Sequence, residues 1–237
     1  MVGQLLLRGM FAGALAGLLA FGFARIYGEP SVDRAIAFED QTSHAKGEAH
    51  EEELVSRQTQ SGLGLGTALI VYGASVGGLF ALIFAFVYGR IGRLKARATA
   101  ALLSLGAFIA VAFVPLLKYP ANPPAVGNPD TIGPRTQLFL AMLIISLLAL
   151  ILAAWAARRF WLHLGGWNAS ILGGVTFLVI VGAAQYLMPA ISEVPENFSA
   201  DVLWQFRTAV LGTQFVLWAT IGLLFGILAE RSLAEPR

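Results

Sequence analysis

Cysteine is absent, which excludes disulfides, thiolate metal sites and cysteine nucleophiles. Charge is scarce. Asp, Glu, Lys and Arg make up 13% of the 237 residues and apolar types 57%, whereas a soluble domain carries about 25% and about 45–50%. No G-x-x-x-x-G-K-[ST] phosphate loop occurs, and neither does G-x-S-x-G or H-E-x-x-H. Nucleotide hydrolysis, serine-esterase chemistry and zincin chemistry by those routes are thereby excluded. The reading is that the chain is not an enzyme. The net charge of +2 reflects loop composition in so apolar a chain and points to no nucleic-acid partner.

What is present is a series of uncharged runs. Each is near the length of about 20 residues that carries a helix across a hydrocarbon core of about 30 Å. The fold class expected is all-α: a polytopic transmembrane helix bundle of about six spans, occupying residues 1–237 as one integral membrane domain. The spans are read at 4–26, 65–88, 98–117, 137–157, 169–188 and 208–228. The first could be mistaken for a signal peptide, but Arg8 is followed by apolar sequence out to Ala24 and no small-x-small cleavage site precedes the polar segment. A retained span is expected.

Basic residues orient the spans. Arg90, Arg93, Lys95 and Arg97 lie between the second and third, and Arg158, Arg159 and His163 between the fourth and fifth, with no acid in either turn. Both turns are expected to be cytoplasmic, in the cell (inner) membrane. The termini then lie inside, and residues 27–64, 118–136 and 189–207 outside.

Two glycine series stand out. Gly9, Gly13 and Gly17 recur every fourth residue, as do Gly73, Gly77, Ala81, Ala85 and Gly89; Gly222 and Gly226 repeat the spacing once. In a helix this builds a flat ridge on which another backbone can sit closely. The expected partner is a helix of the same chain. A weak tandem similarity also runs through the second half. Pro115-x4-Pro120-x-Asn122 precedes Arg135-Thr136, and Pro189-x5-Pro195-x-Asn197 precedes Arg207-Thr208, as in a parallel hairpin repeat of the kind found in transporters.

The interiors of spans two to six hold no ionisable residue. Because such residues mark proton and ion relays, a self-contained proton-coupled antiporter is not expected. Neutral groups such as Thr67, Ser75, Ser104, Ser146, Thr176, Gln185 and Thr213 are left to line a path or to bond back to their own helices. The ionisable material lies in residues 27–64, with eight acids and two of the three histidines. His44, Glu48, His50 and Glu51 are the candidate metal ligands. Imidazole with carboxylate and without thiolate suits borderline divalent ions such as cobalt, nickel and zinc. The proline-rich loop 115–136, with Pro115 to Arg135 holding six of the ten prolines, is expected to be stiff and largely extended, shaping the outer mouth rather than ligating.

RGMFAGALAGLLAFGFARIYGEPSVDRAIAFED, HAKGEAHEEELVSR, FVPLLKYPANPPAVGNPDTIGPRT and LGTQFVLWATIGLLFGILAER together resemble the CbtA family of predicted cobalt transporter subunits. The resemblance spans nearly the whole chain, and the KYPANPPAVG loop is its most specific part. It implies a membrane subunit for cobalt uptake tied to cobalamin supply, with a small single-span, histidine-rich CbtB-type partner. No permanently bound cofactor is expected: the metal is cargo, Co²⁺ with Ni²⁺ as the competing ion. The other reading is a non-transporting scaffold for a partner transporter.

Overall fold

The computed structural model describes residues 2–46, 55–90, 92, 94–124 and 126–234. Among them only helices, turns and irregular segments occur. In chain order these are α1 (Val2–Phe23), a π-helical turn (Ala24–Gly28), α2 (Glu29–Lys46), α3 (Arg57–Thr59), a second π turn (Gln60–Gly64) and α4 (Leu65–Val87). Then come α5 (Ala96–Ala107), a third π turn (Phe108–Phe113), α6 (Val114–Lys118), a 3₁₀ turn (Pro129–Thr131), α7 (Ile132–Leu187) and α8 (Ala200–Ala234). Among the described residues, five continuous helices are long and apolar enough to cross a membrane.

The pattern of exposure identifies the surrounding solvent. In α1 the buried residues other than Leu5 are small (Gly9, Ala12, Gly13, Ala16, Gly17 and Ala20), while Leu7 is 68% and Phe11 58% exposed. A water-soluble helix would bury the leucine and phenylalanine, because covering a large apolar side chain is worth about 1.5–3 kcal/mol in water. Lipid removes that incentive and leaves close backbone packing as the stabilising term.

Contacts cluster the chain into two compact units: Met1–Ala107 with Asn122–Ala125 and Asn197–Arg237, and Phe108–Ala121 with Val126–Glu196. In the first, α1 and α4 lie ridge to ridge. A methyl group built on Gly13 would meet the Gly73 carbonyl carbon at 2.7 Å and the Gly77 Cα at 3.0 Å, and one on Gly77 would meet the Gly13 Cα at 2.8 Å. The glycine series therefore serve packing within the chain. Ala81 continues the ridge against Gly9. Gly89, expected to continue it, lies beyond the end of α4 with φ +77° and turns the chain instead. On α8, Gly222 faces Ser104, and Gly226 faces Arg97 and Ala100 of α5. Phe225, fully buried, makes edge contacts with Phe80 and Phe84 at centroid distances of 5.4 and 5.0 Å. Near its C-terminal end, α8 is fastened twice. Arg8 Nη1 donates to the Leu228 carbonyl at 2.7 Å, and Arg97 pairs with Glu230.

The second unit is built on α7. Gly165, with φ +73° and ψ 162°, breaks the helical path, a conformation close to the region only glycine enters readily. The two legs then pack together: a methyl on Gly173 would lie 2.8 Å from the Ala153 carbonyl and 3.1 Å from the Ala157 Cβ. The spans expected at 137–157 and 169–188 are these two legs. Val114, Tyr119, Met142, Ala149 and Val181 form the buried centre. Ser146 donates to the Ala110 carbonyl inside the third π turn and lies 2.9 Å from the Leu143 carbonyl. A π turn displaces backbone carbonyls from the regular ladder and leaves them open to such donors.

Two stretches expected as loops are more helical than their composition suggests. Within 27–64, α2 runs to Lys46 and the chain is helical again from Arg57. Within 115–136, Pro115 lies inside the continuous helix Ala96–Lys118, directly after the third π turn, where the hydrogen-bond ladder is already displaced and can accommodate the missing N–H, and the chain is helical again from Ile132. The irregular part of the proline stretch is thus confined to about ten residues before the 3₁₀ turn.

Candidate functional site

Of the candidate ligands, His44 stands two residues before the end of α2 with its side chain exposed. Glu48, His50 and Glu51 lie outside the described residues. Among the described residues no group of three His, Asp or Glu side chains is placed to hold a metal ion. The helix adds one donor that sequence reasoning passed over. Asp40 precedes His44 by four residues, and that spacing puts both on one face of α2. The i, i+4 interval was there to be read once the segment was taken as helical rather than as a flexible loop.

Two other acids of this segment are already engaged. Arg57 Nη2 pairs with Glu29 and lies 3.0 Å from Asp33 Oδ1, its Nε donates to the same oxygen at 3.0 Å, and Arg25 stands 3.9 Å from Glu29. Glu29 is 8% exposed; its desolvation is offset by that guanidinium. Ser31, fully buried, donates to the Gly28 carbonyl at 2.6 Å, and Arg34 reaches Gln205 on α8. These contacts fasten the start of α2 to the start of the α3–α4 helix and hold Glu29 and Asp33 in ion pairs. Arg57→Gln is expected to cost about 1–3 kcal/mol, less than a fully buried pair because Asp33 faces solvent. A lowered thermal midpoint of the purified protein in detergent checks this; an unchanged midpoint would show the cluster to be ornamental.

In the second unit, the proline stretch is bonded to the last turn of α7 and to the segment after it. Lys118 Nζ donates to the Gln185 carbonyl at 2.6 Å, Gln185 Nε2 to the Val114 carbonyl at 3.0 Å and the Tyr119 hydroxyl to the Pro189 carbonyl at 2.8 Å. Burial pushes the Tyr119 phenol above its ordinary range, so the donor stays protonated. Glu193, whose side chain is 4% exposed, accepts from Arg135 Nη1 at 2.6 Å and from Thr131. In the first unit, Arg207 donates to Asn122 Oδ1 at 2.9 Å. The two arginines of the tandem similarity thus behave alike. Each lies in the early part of the helix that follows its own proline segment, Arg135 in the first turn of α7 and Arg207 two turns into α8, and each bonds a residue of the other segment.

The neutral side chains of the spans are mostly turned to the backbone. Ser75, Thr176 and Thr213 donate to carbonyls four residues earlier at 2.8–2.9 Å, and Ser104 to the Ala101 carbonyl at 3.0 Å. Backbone fills the seam between α1 and α4, so no hydrated cation passes along it. The glycine ridges hold helices together; they do not line a path.

The family model for the probable cobalt transporter subunit CbtA matches residues 2–230. The chain belongs to the CbtA family. That match takes in α2, both proline segments and α8 as far as Glu230. No curated protein matches the chain, and no solved structure does. The family is described as a probable cobalt transporter subunit, and this member is a multi-pass membrane protein.

Proposed function

We propose that this CbtA-family chain is the membrane subunit of a cobalt importer that supplies cobalamin synthesis, working with a small histidine-rich, single-span partner. The family match across residues 2–230 carries the reading. It is supported by spans two to six being bare of ionisable groups, which leaves metal capture to the segments outside the bilayer.

In this reading the chain crosses the inner membrane six times, each leg of α7 counting as one crossing, with both termini cytoplasmic. Arg90, Lys95 and Arg97, with Arg93 outside the described residues, mark one cytoplasmic turn, and Arg158 and Arg159 the other. The acidic segment and the two proline segments then face outward. His44 and Asp40 on α2, with Glu48, His50 and Glu51 beyond it, gather Co²⁺, and Ni²⁺ competes for the same imidazole and carboxylate donors. Entry is downhill: two charges crossing about 100 mV release about 4.6 kcal/mol.

Radiolabelled cobalt uptake in cells lacking this chain and its partner tests the reading. Uptake at limiting cobalt is expected to fall to background and to return only when both are restored. Unchanged uptake in the double deletion would falsify the proposal. A His44→Ala, His50→Ala variant is expected to raise the apparent KM for cobalt about tenfold, the loss of about 1.4 kcal/mol of binding, while leaving the maximal rate alone. A fall in maximal rate with KM unchanged would instead place these residues in the translocation step. If the purified chain alone admits Co²⁺ to liposomes, the pathway lies within it. Co²⁺ entry through the partner reconstituted without this chain would make it a scaffold.

A further inference from the structure

The tip of the α7 hairpin has no part in the metal reading, and its chemistry is unlike the rest of the surface. From Arg158 to Gly165 every successive residue is exposed, so side chains on all sides of the helix are open rather than those of one face. Leu162 is 93%, Trp167 80% and Trp161 52% exposed. These apolar groups are interleaved with Arg158, Arg159 and His163, and the sequence holds no acidic residue between Asp130 and Glu193. The tip is also built to a shape. A methyl on Gly166 would meet the Trp161 ring at 2.7 Å, so the indole covers the glycine turn.

A docking protein covers one face of a helix, whereas an interfacial medium surrounds all of them. Indoles settle at the headgroup level of a bilayer, with the apolar body toward the chains and the N–H toward water. Guanidinium groups beside them are matched to phosphate, which they engage through two parallel N–H donors. We propose that the tip Arg158–Trp167 is a binding site for anionic phospholipid headgroups. Arg158 and Arg159 engage the phosphate, and Trp161 and Trp167 set the depth.

The test uses the full chain in nanodiscs of phosphatidylcholine with a minor fraction of phosphatidylglycerol, one or the other lipid being brominated as a quencher. A variant keeping only Trp167 as its fluorophore, the other tryptophans changed to Phe, reports which lipid lies at the tip. Brominated phosphatidylglycerol is expected to quench out of proportion to its mole fraction. With about 1 kcal/mol per basic residue near an anionic surface, Arg159→Gln is expected to reduce the preference about fivefold, and Arg158→Gln with Arg159→Gln about thirtyfold at low salt. Raising the ionic strength to about 0.5 M is expected to erase most of it. Equal quenching by the two lipids, or a preference untouched by the arginine substitutions, overturns the proposal. Protection of Trp167 from both quenchers overturns it as well, since a protein then covers the tip. Lipid retained by the unmodified chain in native mass spectrometry gives a readout that does not depend on the fluorescence variant folding.

Discussion

Gly13→Leu is expected to abolish accumulation of the protein in the membrane. The position is enclosed by backbone: even a methyl there would lie 2.7 Å from the Gly73 carbonyl carbon and 3.0 Å from the Gly77 Cα. Overpacking a core usually costs about 1–3 kcal/mol, because side chains can shift to other rotamers. Here the obstacle is main chain, so relief requires α1 and α4 to separate along the seam. The cost is expected to exceed about 3 kcal/mol, a large share of the about 5–15 kcal/mol that holds a folded protein together. Gly182→Leu is the control, since nothing lies within 4 Å of a methyl built there. Fluorescence-detected size exclusion of both variants in mild detergent reads the result. A monodisperse Gly13→Leu peak at full height would show that the seam can open without loss of fold.

Glu193→Ala is the second large effect. The carboxylate is 4% exposed and accepts from both Arg135 and Thr131, while Arg135 is itself only 30% exposed. Deleting the carboxylate strands a half-buried guanidinium and a hydroxyl, and breaking a buried pair from one side costs about 3–5 kcal/mol. Because Arg135 keeps some solvent, the lower end, about 3 kcal/mol, is expected. Adding Arg135→Gln should recover part of the loss, since the stranded charge is then gone; a double-mutant cycle on thermal stability measures the coupling. Strict additivity would mean that the pair contributes nothing beyond two independent contacts. Under the proposed topology the same variants bear on transport, because Glu193 fastens the two outward proline segments together. Loosened segments should change the uptake rate with little change in cobalt affinity, the opposite split from that expected for His44.

Much of the fold was legible because lipid imposes simple requirements. A helix must be long and apolar to cross, and the uncharged runs marked each of the five helices that, among the described residues, are long and apolar enough to do so. The glycine series predicted close packing because a four-residue interval places small residues on one face. The ends of elements were less legible. Composition made 27–64 a loop, yet α2 continues to Lys46: its polar residues tolerate helix, and α1 supplies the nucleus from which the helix propagates. Proline density made Pro115 part of an extended cap, yet directly after the π turn at Phe108–Phe113 the ring is held inside a continuous helix.

Of the candidate site, the sequence supplied the donor types and little of their arrangement. His44, Glu48, His50 and Glu51 were chosen by chemistry, and only His44 falls among the described residues, joined there by Asp40 on the same helical face. That Glu29 and Asp33 are held by Arg57 could not be read from local spacing, because the partner is more than twenty residues away.

The sequence by itself determined that this is an α-helical membrane protein without thiol chemistry, and it carried the CbtA family signature. Both follow from composition and local pattern, which need no knowledge of what lies opposite. Only the tertiary structure decided which glycine ridge meets which, that Gly165 folds α7 into a hairpin, and that Arg135 and Arg207 each bond the other proline segment. Those are pairings between distant residues. Their energies depend on burial and on the group across the contact, and no interval along the chain encodes either.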